Sequence, residues 1–214
     1  MRLKHIHLFL IILAILSGSG FAKEVNIYTS RHYDSDAVLY ENFTNETGIK
    51  VNIISSKSKA LLERLRSEGE NSPADIFITV DAGNLWKAQE YGLFRKINSK
   101  KIDSIVPKNL RGENNEWIAL AKRARVLFYS PKKYSYDELK DLSYEDLSSS
   151  KWEKKLSIRS SNNLYNQSLV ASFIAKYGES FTEEWAKGLV NNFARKPQGN
   201  DRAQIIAVAN GEAD

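Results

Sequence analysis

Cysteine is absent from all 214 residues. That excludes disulfides, thiolate metal sites, cysteine nucleophiles and a lipid anchor attached through a lipobox. Histidine is nearly absent too, with only His5, His7 and His32. No Gly-x-Ser-x-Gly stretch occurs, and no glycine-rich phosphate loop follows a strand. Little is therefore left for a secreted enzyme. The net charge of +5 is spread along the chain. No basic stripe of the kind that tracks phosphates is present, which argues against a nucleic-acid partner. Low-complexity linkers and internal repeats are missing as well. The one long apolar run, Leu8 to Leu16, is too short to span a bilayer as a stable anchor.

That run has a meaning of its own. Arg2 and Lys4 precede it, and Ser17-Gly18-Ser19-Gly20-Phe21-Ala22 follows, with small residues where a signal peptidase reads. The pattern is that of a cleavable secretory signal over 1–22, cut after Ala22; a buried N-terminal helix is the alternative. Export without cysteine suits a bacterial periplasm. Removing 1–22 leaves 192 residues with a charge of +3 and His32 as the only imidazole. That length holds one large domain or two small lobes.

Periodicity gives the organisation. Glu24 to Ser30 alternates and is rich in Val, Ile and Tyr, predicting a strand. Asp34 or Ser35 caps a helix to Thr47, which Gly48 stops. Lys50 to Ser55 is a second strand, and Lys57 to Glu68 carries apolar residues at helical spacing. After Pro73, the near-continuous apolar run Ala74 to Val80 suits a parallel strand covered on both faces. Asp81 to Tyr91 is a further helix closed by Gly92. The order β-α-β-α-β-α predicts a parallel sheet. Trp117 to Leu120 and Arg125 to Ser130 read as strands where the chain leaves the first lobe, the second lobe starting near residue 127. Leu156 to Arg159 is a short strand, and Asn162 or Asn163 caps a helix to Tyr177. Phe181 to Asn192 is the next helix. A short strand near Phe193 to Lys196 and a helix from Asp201 to Asn210 complete the pattern. The predicted division is a signal over 1–22, an α/β lobe over 23–126 and a partial second α/β lobe over 127–214. Gly211 to Asp214 should feed another strand, so a second lobe that is incomplete through C-terminal truncation is expected.

Ligands of such sheets bind beyond the carboxyl ends of the strands. His32 and Tyr33 follow the first strand, and Asp81 follows the third on the same rim. Tyr165 opens the helix after Asn162-Asn163. An imidazole beside a phenol, with a second phenol from another lobe, suits a hard cation such as Fe(III), which stabilises the phenolate and displaces its proton. Arg123 and Arg125 are candidates to hold phenolate charge. Each residue also has a plainer reading. Tyrosines are commonly half-buried packing residues, His32 can donate to a turn carbonyl, Asp81 can be a helix cap, and both arginines can be surface residues.

Five blocks together carry a resemblance. They are Ser30-Arg31-His32-Tyr33 with Asp36, Ala74 to Leu85, Lys122 to Val126, Asn163 to Leu169, and Asp201-Arg202-Ala203-Gln204-Ile205 through Gly211 to Asp214. In this order the chain resembles the ferric-iron-binding periplasmic proteins of ABC transporters, in the branch with a His-Tyr pair. The resemblance implies a two-lobe, type II-like α/β fold with Fe(III) in the cleft. It implies His32, Tyr33 and Tyr165 as metal ligands with Arg123 or Arg125 behind them; Asp81 joins them from its place on the rim, and a synergistic anion can complete the shell. An adjacent tyrosine pair expected after the last block does not occur in this sequence. The implied partner is the inner-membrane permease of an ABC importer, served by a monomeric, non-enzymatic carrier. A receptor of the same fold for an oxyanion or small organic solute is the alternative.

Overall fold

The computed structural model describes residues 23–31 and 33–214. The predicted signal and His32 lie outside the described residues. The only methionine is Met1, so the described chain carries no sulfur. Two compact units form. One runs to Asn98 and takes in Glu113–Trp117; the other comprises Ser99–Gly112 and Ile118–Asp214.

The first unit is a parallel sheet of three strands, β1 (Glu24–Thr29), β2 (Lys50–Ser55) and β3 (Ile76–Ile78), in the order β2-β1-β3. The register runs from Glu24 opposite Lys50 to Thr29 opposite Ser55, and Ile27 faces Ile76. Helices α1 (Ser35–Thr47), α2 (Ser58–Glu68) and α3 (Ala82–Glu90) follow the three strands. β1 is central, and its carboxyl half is buried on both faces. Leu61, Leu62 and Leu65 form the buried stripe of α2, and Tyr28, Leu61 and Leu65 make the core with Ala74, Phe77 and Leu93. Tyr28 is fully buried, yet its phenol donates to Glu68, which also accepts from Arg64 and Ser72. A buried hydroxyl without such a partner would cost folding energy. Gly48 stops α1 at φ 70° as its sequence suggests, while Asp34 makes no side-chain cap.

The second unit is mainly helical. It contains α4 (Lys100–Ile105), α5 (Tyr136–Leu139), α6 (Leu164–Tyr177), α7 (Glu179–Asn191) and α8 (Asp201–Ala209). Its core gathers Leu147, Trp152, Phe173, Trp185 and Leu189. Phe173 stacks on Trp185 with ring centres 4.1 Å apart, and the Trp185 indole donates to the Tyr144 carbonyl at 2.8 Å. Asn192 is buried and donates to the carbonyls of Leu147 and Ser149.

Four predicted strands are not strands. Trp117–Leu120 contributes a single bridge, Ile118 with Arg111, and the stretches at Leu156 and Phe193 share one parallel bridge. Arg125–Ser130 has no regular structure and is mostly exposed. Their composition favours extended backbone, but a ladder needs a partner strand alongside. Among the described residues these segments form one β-bridge each or none. The run Ala74–Val80 likewise yields only a three-residue strand. No described helix is long and apolar enough to cross a membrane.

Candidate functional site

The carboxyl ends of β1, β2 and β3 meet in a polar rim. The Ser30 hydroxyl lies 3.4 Å from that of Thr79, which donates to Ser58 at 3.0 Å, and the Asn84 amide reaches Thr79 and the Val80 carbonyl. The loop from β1 to α1 leaves from this rim. Thr29 uses its hydroxyl to accept from the Arg31 amide, and the Tyr33 carbonyl accepts from the Asp36 amide in the first turn of α1. Backbone and side chain thus fold the loop back toward the helix start.

Arg31 is the organising side chain. Its guanidinium grips Asp36 with two parallel bonds, Nε to Oδ2 at 2.7 Å and a terminal nitrogen to Oδ1 at 2.8 Å. Such a fork is among the stronger polar contacts available. The hydrogen bond from Arg31 holds the Asp36 carboxyl below its ordinary range, against the opposing effect of burial. The same hydrogen bond lifts Arg31. The guanidinium carbon also stands 5.1 Å from the ring centre of Tyr33, within cation–π range. Tyr33 itself is 46% exposed. Asp81 caps α3, accepting from the Gly83 amide at 2.9 Å. It does so at φ 69° and ψ 134°, a region that side chains rarely adopt.

The second unit brings three other predicted residues together. Asn163 caps α6 by accepting from the Tyr165 amide at 3.0 Å. This fixes the first turn and presents the half-buried Tyr165. Arg123 donates to the Tyr165 phenol oxygen at 3.1 Å. Arg125 donates to the Tyr165 carbonyl and, at 3.2 Å, to the Asn166 side chain. The sequence left open which arginine serves Tyr165; one meets its hydroxyl and the other its backbone. Positive charge therefore stands at the Tyr165 phenol oxygen.

Two residues of this cluster escaped the sequence reading. Asn166 is buried and donates to the carbonyls of Arg159 and Ser160. Arg159 places its guanidinium 5.3 Å from the ring centre of Tyr165 and pairs with Asp201 at 2.9 Å. An asparagine inside the first turn of a helix was the available signal, since such residues favour bonds to nearby backbone over helix interiors. Among the described residues no three His, Cys, Asp or Glu side chains converge on a common point. Of the predicted metal ligands, Tyr33 stands in one unit and Tyr165 in the other. Each unit sets a guanidinium against one of these tyrosines, over the ring of Tyr33 in the first and at the phenol oxygen of Tyr165 in the second.

Comparison with known proteins gives these features a context. The family model described as bacterial extracellular solute-binding protein matches residues 71–211. Iron uptake protein A1 of Synechocystis sp. is 52% identical over 195 residues, covering 91% of this chain and 54% of that protein. A Trichodesmium protein solved in complex with iron and citrate is 53% identical, with a TM-score of 0.85 over 89% of this chain and 60% of that one. The ferric binding protein from Campylobacter jejuni is 42% identical, with a TM-score of 0.80 over 89% and 60% of the two chains. The chain thus spans between one half and two thirds of the length of these relatives, and over that span it has their α/β fold. By its matched residues and its fold, the chain belongs to the family of bacterial extracellular solute-binding proteins.

Proposed function

We propose that this protein captures Fe(III) outside the cytoplasmic membrane and passes it to the permease of an ABC importer. The observation that carries the reading is the Arg123 guanidinium donating to the phenol oxygen of Tyr165. A cation placed there offsets the charge of a phenolate ligand. His32, Tyr33 and Tyr165 are the proposed ligands. Arg123 and Arg125 balance charge, and Asp81 holds the rim of the first unit in shape. The names of the relatives, an iron uptake protein and a ferric binding protein, support the cargo. The Trichodesmium complex with iron and citrate supports an anion as co-ligand. The protein is a monomeric carrier rather than an enzyme, exported to the periplasm by its signal over 1–22.

A ferric titration followed by visible absorption tests this. Phenolate bound to Fe(III) produces a charge-transfer band. A saturable band is expected, diminished in Tyr33→Phe and in Tyr165→Phe, with citrate present and absent. Failure to develop any band under both conditions would sink the proposal.

A further inference from the structure

Tyr165 is approached by three arginines, and they differ in how firmly they are held. Arg123 and Arg125 are exposed and lie in a stretch without regular structure. The Arg159 side chain is only 20% exposed. Its Nη1 pairs with the Asp201 carboxylate at 2.9 Å, at the first residue of α8. Its backbone carbonyl accepts from Asn166 at 2.7 Å, in the first turn of α6. Its buried Nε has no hydrogen-bond partner. A guanidinium that leaves a buried donor unmet is not there for the best hydrogen bonding. It is held by Asp201 on one side and by the face of the Tyr165 ring, 5.3 Å away, on the other.

The first unit contains the same device. Arg31 lies over the Tyr33 ring and is tied to Asp36 in the first turn of α1. In both places an acid that suits a helix N-terminus anchors an arginine, and the arginine lies against a candidate ligand tyrosine.

We propose that Arg159 is the positioning residue of Tyr165. Anchored by Asp201, it sets the plane of the phenol ring and keeps a cation at its face while the oxygen carries negative charge. This rests on the ferric reading above for its metal-bound half only, since ring placement is a property of the iron-free protein.

The test compares the full chain with Arg159→Gln, Arg159→Lys and Asp201→Asn. In the iron-free proteins, 3-fluorotyrosine placed at position 165 reports the ring by fluorine NMR. Arg159→Gln is expected to shift and broaden that signal, with Asp201→Asn showing a smaller change of the same sign. In the ferric titration, Arg159→Gln should weaken binding on the order of tenfold, the usual scale for losing a group that supports a ligand. It should also move the charge-transfer band to longer wavelength, because removing a nearby cation raises the energy of the phenolate electrons. Arg159→Lys keeps the charge and should restore most of the band position. A purely structural arginine would lower the melting temperature and leave the band where it was. An unchanged fluorine signal and an unchanged band in Arg159→Gln would overturn the proposal. A wild-type protein without any band would instead refute the ferric reading, and the fluorine comparison would still decide the positioning role. If Arg159→Gln does not fold, Asp201→Asn decides the matter on the same two readouts.

Discussion

At Arg31 one guanidinium faces an acid and an aromatic ring at once. The Asp36 side chain is 11% exposed, so this pair is not an ordinary surface salt bridge of negligible worth. Removing one partner strands the other, a loss of roughly 1–3 kcal/mol. Asp36→Asn should therefore lower stability by about that amount in urea unfolding. The sign of the pH dependence follows from the depressed carboxyl. A carboxylate with a folded-state pKa below its unfolded one contributes its full stability above the ordinary carboxylate range. That contribution is lost as pH falls through the lower, folded value. Wild type should lose stability on acidification below about pH 4, and Asp36→Asn should show a shallower acid limb over the same interval.

Elements differ in what holds them. Among the residues of α1 only Asp36 is buried, while Val38, Leu39 and Phe43 are exposed. That helix is secured at its start by Arg31, not along its length by an apolar stripe. α7 is the opposite case, with Thr182, Trp185 and Leu189 buried on one face. Gly188 sits where this helix crosses the turn at Ser148. A Cβ there would stand 2.5 Å from the Ser148 carbonyl oxygen and 2.8 Å from its Cβ. Both neighbours are too rigid to yield, so Gly188→Ala should destabilise the chain by about 1–3 kcal/mol, the usual scale of overpacking. Equilibrium unfolding followed by tryptophan fluorescence measures it, Trp185 being three residues away. The six longer helices were legible in the sequence because their signals are local, whereas α4 and α5, of six and four residues, are too short to show a period. Asn163 caps α6 and Gly48 closes α1 where the residue types say they should. The strands of the second unit were not, because a strand is defined by a neighbour. Val126, Leu127 and Phe128 have the right composition and remain exposed without a ladder. The site divides in the same way. Tyr165 and its asparagine cap are sequence neighbours and could be read, whereas Arg159 and Asp201 are 42 residues apart and nothing in the chain announces their pairing.

On the scale of the molecule, the two units each close a core of their own, and each keeps a guanidinium against a tyrosine ring. The Glu68 carboxylate at the edge of the first core resembles Asp36 in one respect. Burial alone would raise its pKa, but hydrogen bonds from Arg64, Ser72 and Tyr28 bring it below its ordinary range. Acid should therefore weaken the first unit through two groups rather than one. The absence of sulfur from residues 23–214 has a different consequence. Thiols reduce ferric ion, and thioethers are among the first side chains that reactive oxygen species modify. Residues 23–214, with neither, would offer a bound ferric ion no internal electron donor of that kind and present no sulfur to peroxide. When the iron-loaded chain is challenged with hydrogen peroxide, oxygen addition within residues 23–214, located by mass spectrometry, should fall on aromatic rings and on the His32 imidazole rather than on sulfur. If His32, Tyr33 and Tyr165 hold iron as proposed, damage of that kind would leave its record in the rings beside it.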